Sequence, residues 1–151
     1  MQKKWVFACN GYLTRTAERY NIELDQWRLI PAMNKDREGC SGCALNESIY
    51  VFGGYSNTIS EYEYSVEILD TNLIGQAKVA WQLCQLDLSV FKNRFYQLIN
   101  PFSDDEILIQ GGKMHNLHNN DRGQLVFRTK SWEIANLANQ EDDGFYNFSS
   151  E

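Results

Sequence analysis

A short apolar run that ends in a pair of glycines occurs twice in this chain. The two copies are residues 49–54 (IYVFGG) and 107–112 (ILIQGG), and a weaker copy at residues 5–11 (WVFACNG) opens the chain. Each copy is followed by a polar stretch, a further strand-like segment and a tryptophan, which is Trp27, Trp81 or Trp132. Self-similarity on this scale indicates a unit that buries its faces only by stacking on its neighbours.

The composition fits one folded domain built from strands. A length of 151 residues corresponds to a single domain, which we assign to residues 1–151, and a hydrophobic content of 43% with 13% aromatics is enough to fill a core. Tyrosine, phenylalanine, valine and isoleucine favour strands. The net charge of -6 disfavours broad binding to phosphate backbones or anionic membranes.

Each repeat unit reads as up to four strand segments, a to d, and the units span about residues 1–33, 37–86 and 94–137. In the middle unit, segments a to d are 37–45, 49–52, 66–70 and 81–86. In the third unit they are 94–99, 107–110, 124–127 and 132–137. The first unit has b, c and d at 5–9, 17–21 and 27–30 but lacks a. The run 49–52 is apolar throughout, which predicts a strand that is covered on both faces.

These residues resemble a kelch-repeat β-propeller. In that family a double glycine is followed by an acidic residue near a tyrosine and then by a tryptophan, and Glu18, Tyr20 and Trp27 match this pattern. The chain departs from the pattern at Asn10, which replaces a glycine, and at Leu69, which replaces the tyrosine. The positions that carry the resemblance are Gly11, Gly53, Gly54, Gly111, Gly112, Tyr20, Trp27, Trp81 and Trp132.

The resemblance implies an all-β fold of roughly three radially stacked, four-stranded blades. We expect the tryptophans to pack between blades, because large aromatics bury the most area per residue. An ordinary β-sandwich with coincidental Gly-Gly turns is the alternative.

Three blades are fewer than the four to eight or so of a typical propeller. Residues 143–149 are similar to the start of the third unit and are expected to form the first strand of a further or completing blade. Open blade faces rich in apolar residues associate with other surfaces. The chain is therefore expected to be completed by a missing part of the polypeptide, by another chain, or by a second copy that makes a six-bladed ring.

The candidate binding residues lie in loops at one end of the blades. Because neighbouring strands are antiparallel, the d-to-a and b-to-c connections emerge together, and loops on a rigid scaffold commonly carry recognition. Kelch propellers often bind peptides or proteins through arginines at the start of segment a, and structural bonds to a neighbouring blade are the alternative role for such arginines. The expected partner-binding residues are Arg37, Arg94, Tyr55, Tyr62, Tyr64 and His115.

No constellation typical of catalysis, a metal site or a cofactor site is present. Cys40 and Cys43 are spaced like zinc ligands, but no second such pair exists, and positions i and i+3 of a strand point to opposite faces. We therefore expect a non-enzymatic protein-interaction module without a cofactor. Two alternatives are an architectural subunit of a larger assembly and a fragment of a kelch-fold oxidase or sugar-modifying enzyme. Four cysteines without a visible secretory signal favour a cytoplasmic protein.

Overall fold

The computed structural model describes residues 4–86, 94–114 and 123–137, and these residues form strands, turns and one short 3-10 helix, with no α-helix among them. The first of three main sheets contains β1 (Trp5–Gly11), β2 (Thr14–Asn21) and β3 (Gln26–Ile30) in that spatial order. All its pairs are antiparallel.

The second sheet is formed by the middle repeat unit. Its elements along the chain are β4 (Ser41–Leu45), β5 (Ser48–Phe52), β6 (Tyr55–Ser56), β7 (Glu61–Tyr62), β8 (Ser65–Asp70), the 3-10 helix η1 (Thr71–Leu73) and β9 (Gln82–Gln85). The sheet has the antiparallel order β4-β5-β8-β9, while β6 and β7 pair with each other as a separate hairpin.

The third sheet repeats this arrangement. Its elements are β10 (Arg94–Phe95), β11 (Leu98–Pro101), β12 (Glu106–Gln110), β13 (Lys113–Met114), β14 (Gln124–Arg128) and β15 (Glu133–Asn136). The sheet order is β11-β12-β14-β15, and β10 pairs with β13 outside it. The predicted all-β class is confirmed, and the described residues form the sheets of a partial propeller that do not close into a ring.

The first strand of the third sheet begins later than predicted. Arg94 was expected to start it, but the strand begins at Leu98, because Arg94 and Phe95 pair instead with Lys113 and Met114. Tyr96 separates the two strands with a φ of 55°, which interrupts the extended backbone.

Two apolar clusters lie between consecutive sheets. Within β5, Ile49 and Val51 join the cluster shared with the first sheet, whereas Tyr50 and Phe52 join the cluster shared with the third sheet. The alternation of side chains along a strand separates the two pairs. The continuous apolar run 49–52 is thus explained by burial on both faces.

The glycine pairs end β5 and β12 with the same backbone geometry. Gly53 and Gly54 have φ values of 61° and 95°, and Gly111 and Gly112 have values of 61° and 100°. This left-handed region favours glycine because a Cβ would clash with the backbone there. In the first sheet Asn10 takes the corresponding conformation with a φ of 72°, which asparagine tolerates better than most residues.

The three tryptophans differ in burial, which corrects the expectation that all of them pack between blades. Trp81 is 4% exposed and its indole Nε1 donates to the carbonyl of Pro31 at 2.7 Å, in the linker that leaves the first sheet. Trp27 is 51% exposed and contacts Tyr20 with a centroid separation of 5.1 Å, and Trp132 is 39% exposed. No sheet precedes the first one among the described residues, so the face that bears Trp27 is uncovered.

We expect Trp81→Ala to lower the free energy of unfolding by about 3–5 kcal/mol, because the substitution removes a buried aromatic and leaves a cavity. Tyr12→Ala is the control and is expected to cost much less, because 69% of that aromatic side chain is in solvent. Urea unfolding followed by circular dichroism measures both. Equal losses for the two variants would contradict the assignment of Trp81 as the inter-sheet tryptophan.

Candidate functional site

The linker before the second sheet and the β6–β7 hairpin lie together at one end of that sheet. The carboxylate of Asp36 accepts hydrogen bonds from Ser56 Oγ at 2.7 Å and from the backbone N–H groups of Asn57 and Thr58 at 2.8 and 3.1 Å. We call residues 31–38 and 55–64 the hairpin rim. Asp36 ties its two parts together.

Asp36 is 6% exposed, and its pKa reflects opposing effects. Desolvation raises the pKa, but hydrogen bonds from Ser56, Thr58 and Asn57 favour the charged form and hold the pKa below its ordinary value of 3.8. The carboxylate is therefore ionised near neutral pH and holds the hairpin in place.

Glu38 adds a second connection between the linker and the hairpin. Its backbone N–H donates to the carbonyl of Tyr55 at 2.8 Å, and its carbonyl accepts from the N–H of Tyr55 at 2.9 Å. The Glu38 carboxylate accepts from Asn57 Nδ2 at 3.0 Å. The exposed tip of the hairpin is thus displayed on a backbone that the linker fixes at β6 and at the start of the turn.

Arg37 is fully buried, which corrects its predicted role in partner binding. Its Nε donates to Glu67 Oε1 at 3.1 Å, Nη1 donates to the carbonyls of Gly53 and Ser65, and Nη2 donates to Ser65 Oγ at 2.6 Å. Every guanidinium nitrogen therefore has a partner inside the protein. The sequence left open the alternative that Arg37 makes structural bonds to a neighbouring blade. Arg37 does make structural bonds, but its partners belong to the second sheet itself.

Glu67 is the acceptor at the centre of this buried network. Its carboxylate also accepts from the backbone N–H of Asn34 at 2.6 Å, from Asn34 Nδ2 at 3.0 Å and from the N–H of Lys35 at 3.0 Å. A buried carboxylate is tolerated only when its oxygens are paired in this way. Glu67 thereby anchors the linker from the first sheet to the second.

The surface of the hairpin rim is acidic and aromatic. Glu38 and Glu61 are exposed, and Ile59 at the hairpin tip is 51% exposed. Lys35 is a basic side chain of this rim, and its ammonium lies 3.4 Å from Glu63, which is 5% exposed. The exposed chemistry suits a basic partner better than an acidic one.

The three predicted tyrosines lie in the hairpin rim and are half-buried. The rings of Tyr55 and Tyr62 meet edge to face at a centroid distance of 5.1 Å, and Tyr64 packs against the cluster between the second and third sheets. Burial raises the pKa of Tyr62, and nearby Tyr55 and Tyr64 raise it further. Tyr55 and Tyr62 form one aromatic pair, and Tyr64 contributes mainly to packing.

Two other predicted residues are described only in part or not at all. The backbone of Arg94 pairs with Met114, next to the pair of Phe95 with Lys113, which corresponds to the bridge between Glu38 and Tyr55 in the second sheet. His115 lies outside the described residues, as does the segment 143–149. Their roles stay predictions.

Sequence reasoning missed Asp36, Glu67 and Ile59. The alternation in residues 66–70 predicts a half-buried strand with Glu67 in solvent. In the structure both faces of β8 are covered, and Glu67 is fully buried. The one signal in the sequence is an arginine 30 residues upstream, and nothing in the sequence pairs the two.

The cysteines do not form a metal centre within the described residues, where no group of three or more His, Cys, Asp or Glu side chains could hold an ion. Cys40 packs on the cluster between the first and second sheets, and Cys43 packs on the other cluster. Their placement on opposite faces is confirmed. Burial raises the pKa of Cys9 to about 12 and that of Cys43 to about 11, so these thiols are protonated and weakly nucleophilic near neutral pH.

The architecture and the glycine geometry define a set of propeller-type blades, and comparison with known proteins identifies which kind. Residues 36–72 match the Kelch motif. These residues include the linker end, β4, β5, the hairpin and β8. The kelch repeat predicted from the sequence is therefore confirmed for these residues.

Curated relatives carry the same repeat. An F-box/kelch-repeat protein of Arabidopsis thaliana is 44% identical over 45 residues, which are 30% of this chain. F-box/kelch-repeat protein SKIP11 of the same organism is 41% identical over 51 residues, or 34% of this chain, and Kelch-like protein 23 of Homo sapiens is 38% identical over 63 residues, or 42% of this chain. The matched segment spans 11% of the length of each relative. No helix among the described residues is long and apolar enough to cross a bilayer.

Breaking the buried ion pair is expected to be costly. Arg37→Met leaves the Glu67 carboxylate buried without its cation and should lower the free energy of unfolding by about 3–5 kcal/mol. The double variant Arg37→Met/Glu67→Leu should regain part of this loss, because Leu125 fills the equivalent register position of the third sheet. Chemical denaturation measures both variants.

Lys130→Met, which breaks an exposed ion pair with Asp105 at 2.7 Å, is the control and should change stability little. An Arg37→Met variant as stable as this control would contradict the structural role of the buried pair.

The Asp36 hydrogen bonds predict a pH dependence. A carboxylate whose pKa is depressed on folding stabilises the protein above its unfolded pKa, and this contribution is lost as the pH falls through the folded value. We expect the stability difference between the wild type and Asp36→Asn to be largest above the ordinary pKa of 3.8 and to shrink at more acidic pH. Urea denaturation curves across pH 3 to 7 or so test this expectation. A difference that grows on acidification would contradict it.

Proposed function

We propose that this chain is a non-enzymatic protein-interaction module and that the hairpin rim is its binding surface. The observation that carries the proposal is the rigid display of exposed side chains on the β6–β7 hairpin, which Asp36 and Glu38 fix to the linker. A pre-ordered loop binds at a lower entropic cost than a flexible one. The kelch repeat itself supports a protein-interaction role.

The exposed chemistry of the rim suggests the kind of partner. Glu38 and Glu61 provide negative charge, Ile59 provides an apolar contact, and Tyr55 and Tyr62 provide an aromatic pair. We therefore propose a protein partner that presents a basic segment with an apolar residue. Arg94 and His115 stay in the proposed surface as candidates, and Arg37 does not.

This choice differs from the expectation that Arg37 and Arg94, at the start of segment a, both bind the partner. Arg37 uses its donors on Glu67, Gly53 and Ser65 and has no exposed surface. A partner carboxylate or phosphate would therefore meet the acidic side chains of the rim first. Charge complementarity governs the association rate and its salt dependence.

The test compares two charge-reversal variants of the same size. Glu38→Lys/Glu61→Lys changes the hairpin rim, whereas Glu23→Lys/Glu47→Lys makes the same change in the turns at the opposite end of the sheets. All four glutamates are exposed, so both variants should fold. Affinity capture with identification by mass spectrometry is followed by titration of each captured protein at two salt concentrations.

We expect the rim variant to lose its partner by at least tenfold in Kd and the opposite-end variant to retain it. Binding of the wild type should weaken with salt, because exposed charges are screened. Equal binding by both variants would place the binding surface elsewhere. A catalytic product formed from a captured protein would contradict the non-enzymatic role.

A further inference from the structure

The central strand of the first sheet is an edge strand among the described residues, unlike the central strands of the other two sheets. In the second and third sheets the central strands β5 and β12 are flanked by the inner strands β4 and β11. In the first sheet β1 occupies the corresponding position, but it pairs with β2 alone among the described residues. An unpaired edge of seven residues offers its N–H and C=O groups to another strand.

A cleft of about 420 Å³ lies beside this edge. Trp5, Phe7 and Cys9 line it from β1, and Gly42 and Ala44 line it from β4. The side chains on its β1 wall are apolar, and those on its β4 wall are small. The cleft is therefore shaped for an extended strand that carries at least one large apolar side chain.

The interface between the second and third sheets shows what fills this position. There β4 lies between the edge of β5 and the third sheet and covers Ile99 of β11, which is 7% exposed. Gly42 of β4 corresponds to Ile99 of β11, because Gly42 pairs with Val51 of β5 and Ile99 pairs with the equivalent Ile109 of β12. Gly42 is nevertheless exposed. The inner strand of the first sheet is what would cover it.

The face of the first sheet that points away from the second sheet is also uncovered. Val6, Trp27 and Leu29 are 47%, 51% and 72% exposed, whereas Ile49 and Trp81, the residues at the positions of Val6 and Trp27 in the second sheet, are each 4% exposed. The same kind of surface is thus buried by a neighbouring sheet in one case and open in the other. A partner that fills the cleft and also brings a sheet would cover both.

The end of this chain carries a segment suited to the cleft. Residues 143–149 (DGFYNFS) resemble residues 93–99 (NRFYQLI), which lead into β11. When the two segments are aligned on their shared Phe-Tyr pair, Phe148 corresponds to Leu98. Leu98 corresponds in turn to Ser41 of β4, because Leu98 pairs with Gln110 and Ser41 pairs with the equivalent residue Phe52. In β4, Ser41 lies on the strand face of Cys43 and Leu45, which pack toward the next sheet along the chain. A phenylalanine at the same position of an inner strand of the first sheet would therefore face the second sheet, where the small side chains of Gly42 and Ala44 leave room for it.

The chain connections indicate that this segment belongs to another copy. Each linker carries the chain from the outer strand of one sheet to the inner strand of the next sheet, from β3 to β4 and from β9 to β11. A connection of the same kind after β15 would lead onto a sheet beyond the third, away from the first sheet. Within this chain the first sheet is the one without an inner strand among the described residues.

We propose that residues 143–151 of a second copy add to the free edge of β1 and fill the cleft, and that the two copies exchange these strands reciprocally. The third sheet of each copy then covers Val6, Trp27 and Leu29 of the other. The two-fold arrangement is closed, with both apolar faces buried. This proposal is independent of the hairpin rim, because no residue of that rim contributes to the exchanged strand.

The first test is the mass of the full chain in solution. Sedimentation and native mass spectrometry of the wild type should give a dimer of twice the chain mass of 17.5 kDa. Ala44→Arg fills the cleft and Phe148→Asp removes the apolar side chain of the incoming strand, so both should give a monomer. Ala77→Arg, which is exposed in the loop before β9, is the matched control and should remain a dimer.

A second measurement needs no substitution. In a strand-exchanged dimer the amide hydrogens of β1 that face the cleft should be protected, and this protection should fall when the protein is diluted below the dimer dissociation constant. Amides of β5 should not respond to dilution. A monomeric wild type, a dimer that survives Ala44→Arg, or β1 protection that is independent of concentration would each overturn the proposal.

Discussion

Burial of a central strand on both faces is the constraint on which this structure depends. Residues 49–52 have no solvent-facing side, because Ile49 and Val51 pack on the first sheet while Tyr50 and Phe52 pack on the third. A sheet built around such a strand is stable only between two neighbours. The edge-to-face contact of Phe52 with Phe127, at 5.3 Å between centroids, and the bond from Trp81 to Pro31 are the local means by which each neighbour is held.

The proposed binding surface depends on the same stacking through the linker. The segment 31–38 must cross from the outer strand of one sheet to the inner strand of the next, and Glu67 and Asp36 fix its two halves. The Arg37–Glu67 pair is buried and stabilises the linker from inside, while Glu38 and Ile59 remain exposed for a partner. The structural role of Arg37 and the proposed recognition role of Glu38 thus belong to adjacent residues of one short segment.

The sequence predicted the fold well and the site only in part, for physical reasons. Glycine pairs and apolar runs report backbone conformation and burial directly, so the strands and their order followed from them. Arg37 could bind a partner or a buried carboxylate, and the choice depends on Glu67, which is distant in sequence and has the alternation of an exposed residue. Trp27 and Trp81 occupy equivalent positions, and their burial differs because of a neighbouring sheet that local sequence does not encode.

The buried pair has a further consequence for the repeat as a modular unit. Where the second sheet has the fully buried Glu67, the third has the fully buried Leu125, and the first has Glu18, which is half-buried. Duplicating the third unit in place of the second would leave Asn34 and Lys35 without an acceptor for their backbone N–H groups. The units share a backbone but are not interchangeable, because the side chains buried in each unit fit only its own position in the series.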